Sequence, residues 1–172
     1  MQRTVSTLLA LALLAVLPSC RLDADDMNDT GYRALSFELP DEATKYFEAA
    51  RELIVDETEE GADIRLHPQY PRMRRGELLV SAWQEPETAL GELERTARDQ
   101  PGLLDAVQWR EQIHHYSLAG RFDEALAIAE WAAGAYPQDD DLARQRANLG
   151  RKLRPEDPIP SFDPRPILDS EG

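Results

Sequence analysis

The side chains best suited to bind a metal ion or act as nucleophiles are few in this chain. It has three histidines and one cysteine, and two of the histidines, His114 and His115, are adjacent. Adjacent residues of a helix point about 100° apart, so this pair does not easily share one metal ion. His67 is distant, and no His-x3-His or Cys-x2-Cys spacing is present. The pattern predicts one exposed and one packed histidine, with no metal site.

Signatures of nucleophilic catalysis and of phosphate binding are missing from the sequence as well. It contains no Gly-x-Ser-x-Gly, no phosphate loop and no Gly-x-Gly-x-x-Gly. Acidic residues number 33, so two neighbouring carboxylates carry no specific information and are typical of a solvated face. The sequence therefore predicts a non-enzymatic protein that needs no cofactor.

The charge of the chain limits its partners. The formal net charge is −14, which argues against binding nucleic acid and against lying on an anionic membrane by charge alone. The one basic cluster contains Arg72, Arg74 and Arg75. This cluster is interpreted either as a solvated turn or as a contact for an acidic partner.

The first twenty residues have the pattern of an export signal. A leader with a single charge, Arg3, precedes a ten-residue apolar run from Leu8 to Leu17. That run is too short to cross a hydrocarbon core of about 30 Å as a helix, but it suits a signal peptide. The sequence Leu17-Pro18-Ser19-Cys20 then resembles the lipobox of bacterial lipoproteins, although Pro18 stands where a small residue is usual.

The lipoprotein resemblance implies a modified and anchored N-terminus. It implies that residues 1–19 are removed as a signal peptide and that Cys20 carries the lipid. The next residue is Arg21 and not the aspartate that often marks inner-membrane retention in that family. The resemblance therefore favours the outer membrane, facing the periplasm, with the inner membrane left open. An ordinary signal peptide with an incidental cysteine is the alternative.

The stretch after Cys20 is rich in aspartate and poor in apolar side chains. Between Leu22 and Thr30 there are four aspartates and three apolar residues, too few to bury. We therefore expect residues 20–39 to be a flexible tether that lifts a folded domain off the membrane.

The clearest structural unit is a pair of predicted helices. Helical periodicity covers Ala106 to Leu118, Gly120 interrupts it, and a second helix is predicted from about Phe122 to Ala135. The small alanines allow close helix approach, and Gly120 permits a tight turn. This unit resembles a tetratricopeptide repeat, a helical hairpin that stacks on its neighbours. The residues that carry the resemblance are Trp109, Tyr116, Gly120, Phe122, Ala125, Ala132 and Pro137.

Weaker copies of this unit extend the prediction along the chain. Ala89, Leu93 and Pro101 repeat its spacing, with a short first helix at 76–83. A third fragment at 41–55 has an apolar stripe but no convincing first helix, and 141–153 is predicted to be a polar closing helix.

The sequence therefore predicts an all-α fold in which residues 40–153 form a short stack of helical hairpins. Residues 56–72 are expected to be a loop, and the proline-rich tail at 154–172 to be extended or disordered.

Some features keep another all-α fold open. Gln112, Ile113 and Ala129 depart from the family pattern, which usually has leucine, glycine and a large aromatic there. An unrelated helical bundle also uses amphipathic, alanine-rich hairpins.

The resemblance also points to a binding surface. In tetratricopeptide repeats the first helix of each hairpin lines a concave groove. In the best unit this groove would receive one stripe of residues, in which Arg110 is the natural partner of a ligand carboxylate. The stripe consists of Val107, Arg110, His114, Ser117 and Leu118.

These features together predict a membrane-anchored interaction or assembly scaffold of the bacterial cell envelope. Its partner would be a protein or peptide. One alternative is an accessory domain or regulator of a peptidoglycan-acting enzyme. Another is a small structural subunit whose helix faces are buried in a larger complex.

Overall fold

Seven α-helices and one short 3-10 turn make up the described part of the protein. The computed structural model describes residues 23–153 and 158–165, and no strand occurs among them. The predicted signal peptide, Cys20 and the rest of the predicted tail lie outside these residues. The all-α prediction is confirmed. The helices are α1 (Ala24–Ser36), α2 (Pro40–Glu57), α3 (Tyr70–Gln84), α4 (Ala89–Asp99), α5 (Ala106–Leu118), α6 (Phe122–Ala135) and α7 (Asp140–Lys152), with the 3-10 turn at Ile64–Leu66 between α2 and α3.

Local sequence signals set where several helices begin and end. Asp105 accepts hydrogen bonds from backbone N–H groups in the first turn of α5, and Asp139 does the same for α7. Pro40 occupies the first turn of α2, where its missing N–H is no loss. Gly120, between α5 and α6, has a φ of 76°, which glycine adopts without strain. The helices at 106–135 and 140–152 therefore lie where the sequence predicts them.

The contacts between helices determine which face of each helix is buried. Helices α1, α2, α3 and α4 pack in succession, and so do α5, α6 and α7. The odd-numbered helices also contact one another in chain order, α1 with α3, α3 with α5, and α5 with α7. Two apolar clusters result. One is formed mainly by α1, α2 and α3, and the other runs from α3 to α7.

The first helix corrects the prediction of a flexible tether at 20–39. Residues 24–36 are helical and bury one side against α2 and α3. Asp23 and Asp26 form a reciprocal cap at its start, and Arg72 pairs with Asp25 and with Asp29, which offsets the acidic charge. The buried positions Ala24, Met27, Gly31, Ala34 and Leu35 recur at helical spacing through the aspartates.

This helix also supplies the partner that the 41–55 fragment lacked, so the folded domain begins before residue 40. The third helix is likewise longer than predicted, at Tyr70–Gln84 in place of 76–83. The predicted loop at 56–72 is confirmed between the end of α2 and the start of α3, with the 3-10 turn inside it.

The described part of the tail, residues 158–165, contains no helix or strand, and it packs on the helices, which corrects the prediction of a disordered tail. Phe162 packs against the second apolar cluster, and Pro164 is buried. The segment lies on the helices as an ordered strap, which we name the C-terminal strap.

The tight packing of α6 leads to a first prediction. Ala125 has no exposed surface, so Ala125→Leu should overpack the second cluster and lower the free energy of unfolding by about 1–3 kcal/mol. Ala147→Leu is the matched control, because Ala147 is exposed on α7 and its change should have little effect. Urea unfolding of a soluble chain that starts at Arg21 measures both. Equal midpoints for the two variants would contradict the packing of α6.

A candidate partner-binding groove

An open groove of about 510 Å³ runs across the odd-numbered helices. It forms where α1, α3, α5 and α7 lie side by side, so its wall comes from four separate stretches of the chain. Its lining residues are Tyr32 of α1, Leu79 of α3, Val107, Arg110, Glu111, His114 and His115 of α5, and Asp141, Arg144, Gln145 and Asn148 of α7.

The groove contains three of the five residues predicted to bind a partner. Val107, Arg110 and His114 line it, and Val107 exposes 47% of its surface. Ser117 and Leu118 do not belong to its wall. The Ser117 hydroxyl donates to the backbone carbonyl of Ile113 at 2.7 Å, within its own helix. Three of the predicted residues therefore share the wall of this groove, and the two at the end of α5 lie outside it.

The environment of Arg110 corrects its predicted role as a free partner for a ligand carboxylate. Its guanidinium lies 2.9 Å from Asp141 and 3.3 Å from Asp139. Gln145 adds a hydrogen bond to the Arg110 backbone carbonyl at 3.4 Å. Arg110 therefore ties α5 to α7, and Arg110→Ala would disturb the groove itself.

The better-exposed cation of the groove is Arg144 of α7. Its side chain is 69% exposed and lies 2.8 Å from Asp141, which it shares with Arg110. An exposed pair of this kind contributes about 0–1 kcal/mol, so a ligand anion can compete for the guanidinium. Sequence analysis missed this residue, although the four α7 lining positions, 141, 144, 145 and 148, have the spacing of one helix face.

Burial changes the pKa of three groups in the groove. It raises the pKa of Tyr32 to about 12, which nearby Arg75 partly opposes, and the Tyr32 hydroxyl donates to the Arg72 carbonyl at 3.0 Å. It also raises the pKa of Glu111, again against the effect of Arg75.

The third group is His115, whose pKa falls to about 4 because of burial, with a smaller contribution from neighbouring His114. At neutral pH Tyr32 and His115 are therefore uncharged. His114 is exposed and His115 is half-buried, as the adjacent pair predicted.

The basic cluster at 72–75 is neither a solvated turn nor an open contact. All three arginines lie on α3 and their guanidinium groups contact other residues of the domain, although the side chain of Arg72 remains 36% exposed. Arg72 pairs with Asp25 and Asp29, Arg74 pairs with Glu77 at 3.0 Å and Glu92 at 2.9 Å, and Arg75 donates to the Leu103 carbonyl at 3.5 Å.

Comparisons with known proteins leave the groove as the main guide to function. No protein family, curated protein or solved structure matches the chain. Among residues 23–153 and 158–165, no group of three or more His, Cys, Asp and Glu side chains is placed to hold a metal ion. None of the helices in the described part is long and apolar enough to cross a membrane.

Proposed function

We propose that this protein is a lipid-anchored, non-enzymatic interaction protein of the bacterial cell envelope, which binds a protein or peptide partner in the groove. The observation that carries this proposal is the groove itself, built by successive odd-numbered helices and containing Val107, Arg110 and His114. A concave surface of this kind, shared by several helices, suits an extended partner.

The helix order supports a tetratricopeptide-like arrangement within this proposal. Helices α1–α2, α3–α4 and α5–α6 are pairs with short connections, and α7 follows as a closing helix. The second helix of each pair buries small or apolar residues at matching positions, such as Ala43 and Ala50 in α2 and Ala125 and Ala132 in α6. The first helices of the pairs then form the inner layer, and this layer is where the groove lies.

The groove chemistry suggests what the partner offers. Val107 is an exposed apolar contact, and Leu79 from α3 provides a buried apolar floor. Arg144 supplies an exposed cation, while Glu111 and Asp141 supply carboxylates. This mixture suits a peptide segment that combines an apolar side chain with at least one acidic group.

Site-specific photocrosslinking in the native envelope tests the proposal. A photoreactive amino acid replaces Val107, and in a second strain it replaces Val55. These two valines form a matched pair, because they expose 47% and 49% of their surface, but Val55 lies on α2 outside the groove. We expect a discrete adduct of one partner from position 107 and none from position 55.

Reversing the charge of one arginine of α7 at a time provides a second test of binding in the groove. Arg144→Glu should reduce the adduct at position 107, whereas Arg146→Glu, which changes an exposed arginine of α7 outside the groove, should leave it unchanged. Adducts of equal yield from positions 107 and 55, or the same adduct loss in both arginine variants, would contradict binding in the groove.

A further inference from the structure

The sequence pattern of the C-terminal strap resembles that of an extended peptide ligand. Prolines and one phenylalanine occupy every second position from residue 158 to residue 166. In an extended chain, every second side chain points to the same side. The structure follows this alternation only in part. Pro160 and Phe162 are half-buried, Pro164 is buried, and Ile159, Ser161 and Arg165 are exposed, but Pro158 is also exposed and Asp163 is half-buried.

An aromatic cleft receives the central side chain of the strap. The ring of Phe162 lies 5.9 Å from that of Trp109 and 6.1 Å from that of Trp131, at interplanar angles of 78° and 80°. The two tryptophan rings are themselves 4.9 Å apart. The phenylalanine contacts are edge-to-face, an arrangement that adds about 0.5–1.5 kcal/mol per pair beyond the area that it buries.

Side chains of helix α4 form hydrogen bonds with the backbone of the strap. The backbone N–H of Asp163 donates to a carboxylate oxygen of Glu94 at 3.4 Å, and Arg98 donates to the backbone carbonyl of Asp163 at 3.3 Å. Glu94 and Arg98 are paired with each other at 3.0 Å. The backbone donor and acceptor of Asp163 are thus both engaged by the Glu94–Arg98 ion pair of α4.

The cleft is larger than the strap that occupies it. A cavity of about 190 Å³ remains beside Pro164, lined by Trp109, Trp131, Tyr136 and Leu104 among others. The strap therefore lies in an apolar cleft with open space at one end, in contrast to the tightly packed interior of a core.

We infer that the cleft between α4, α5 and α6 is a second peptide-binding site, separate from the groove, whose ligand is the chain's own segment 158–165. The site recognises an extended peptide with an aromatic side chain between prolines. Trp109 and Trp131 contact the aromatic ring of the peptide, and Glu94 and Arg98 form hydrogen bonds with its backbone. The same segment supplied on another molecule competes for these contacts.

Tethering sets the strength of this competition. A short linker gives a segment an effective concentration in the millimolar range. With about 1 mM of tethered segment and a free-peptide Kd of about 10–100 µM, a free copy should bind about 10- to 100-fold more weakly than it would to an empty cleft.

The test titrates a fluorescent synthetic peptide of residues 156–166 into full-length protein. Wild type is compared with Phe162→Ala, which releases the strap, and with Ile159→Ala, an exposed apolar residue of the same strap that serves as the control. We expect the Phe162→Ala chain to bind the peptide about 10- to 100-fold more tightly than the wild type or the control. A peptide carrying the same Phe162→Ala change should not bind.

A second release variant makes the outcome independent of the phenylalanine. Asp163→Pro removes the backbone N–H that donates a hydrogen bond to Glu94. Because residue 163 lies outside every helix, the proline should not disturb a helix. This variant should therefore also bind the free peptide more tightly than the wild type. Circular dichroism confirms that each variant keeps its helices. Equal peptide affinity in wild type and both release variants, or no binding to either release variant, overturns the inference.

Discussion

Replacing Gly76 with alanine is expected to lower the free energy of unfolding by about 1–3 kcal/mol, although alanine is the better helix former. Gly76 lies inside α3, where alanine would ordinarily add about 0.5–1 kcal/mol to stability. A Cβ at this position, however, would lie 2.2 Å from the Phe47 ring. The steric cost reverses the sign of the effect.

The Phe47 ring is confined on two sides, by α1 and by α3. Its side chain is 1% exposed, and a Cβ on Gly31 of α1 would meet the same ring at 2.7 Å. Tyr32 adds an edge-to-face contact with a centroid distance of 5.4 Å. The two glycines therefore let α1 and α3 close on a single phenylalanine of α2, and this contact joins the first three helices.

Gly91 provides the matched control for this prediction. It lies inside α4, and a methyl group added there would have nothing within 4 Å, so Gly91→Ala should raise the free energy of unfolding by about 0.5–1 kcal/mol. Adding Phe47→Leu to Gly76→Ala should cost less than the sum of the two single changes. Urea unfolding measures the free energy of unfolding of the three single variants and the double variant relative to the wild type. Equal stabilisation by Gly76→Ala and Gly91→Ala would contradict the contact with Phe47.

The contrast between α5–α6 and α1 shows what the sequence could predict. Helices α5 and α6 have strong local signals, with Asp105 as a cap, Gly120 at the turn and closely spaced alanines. In α1 the apolar stripe could not be recognised from the sequence, because aspartates lie between its residues. The charge of Asp25 and Asp29 is offset by Arg72, a residue more than forty positions away in the sequence. Contacts that are local in sequence could be predicted, whereas a pairing between distant elements could not.

The same distinction applies to the groove. Helical periodicity alone placed Val107, Arg110 and His114 on one face, and the structure confirms that they share a wall. It could not show that Arg110 is paired with Asp139 and Asp141, since those contacts depend on how α7 lies against α5. The grouping of these three residues on one helix face was therefore predictable, while the ion pairing of Arg110 was not.

The folding of α1 also changes the geometry expected of the proposed lipid anchor. Asp23 already caps a helix that is packed in the domain, and only three peptide units separate it from Cys20. Fully extended, they reach no more than about 11 Å. A lipid on Cys20 would thus hold the start of α1 close to the bilayer surface, where a flexible tether to residue 39 would have let the domain move away.

Cys20→Ser should abolish incorporation of labelled fatty acid and release the protein from the membrane fraction. The physical reason is that each buried methylene of an acyl chain contributes about 0.8 kcal/mol to membrane binding, and the serine variant would have no acyl chain. The free energy of unfolding should not change, because α1 begins after this position with its own cap. Arg21→Asp is the matched control, since it should keep the label and, by the sorting preference of bacterial lipoproteins, move the protein to the inner membrane. Equal labelling of the wild type and Cys20→Ser would contradict an anchor on Cys20.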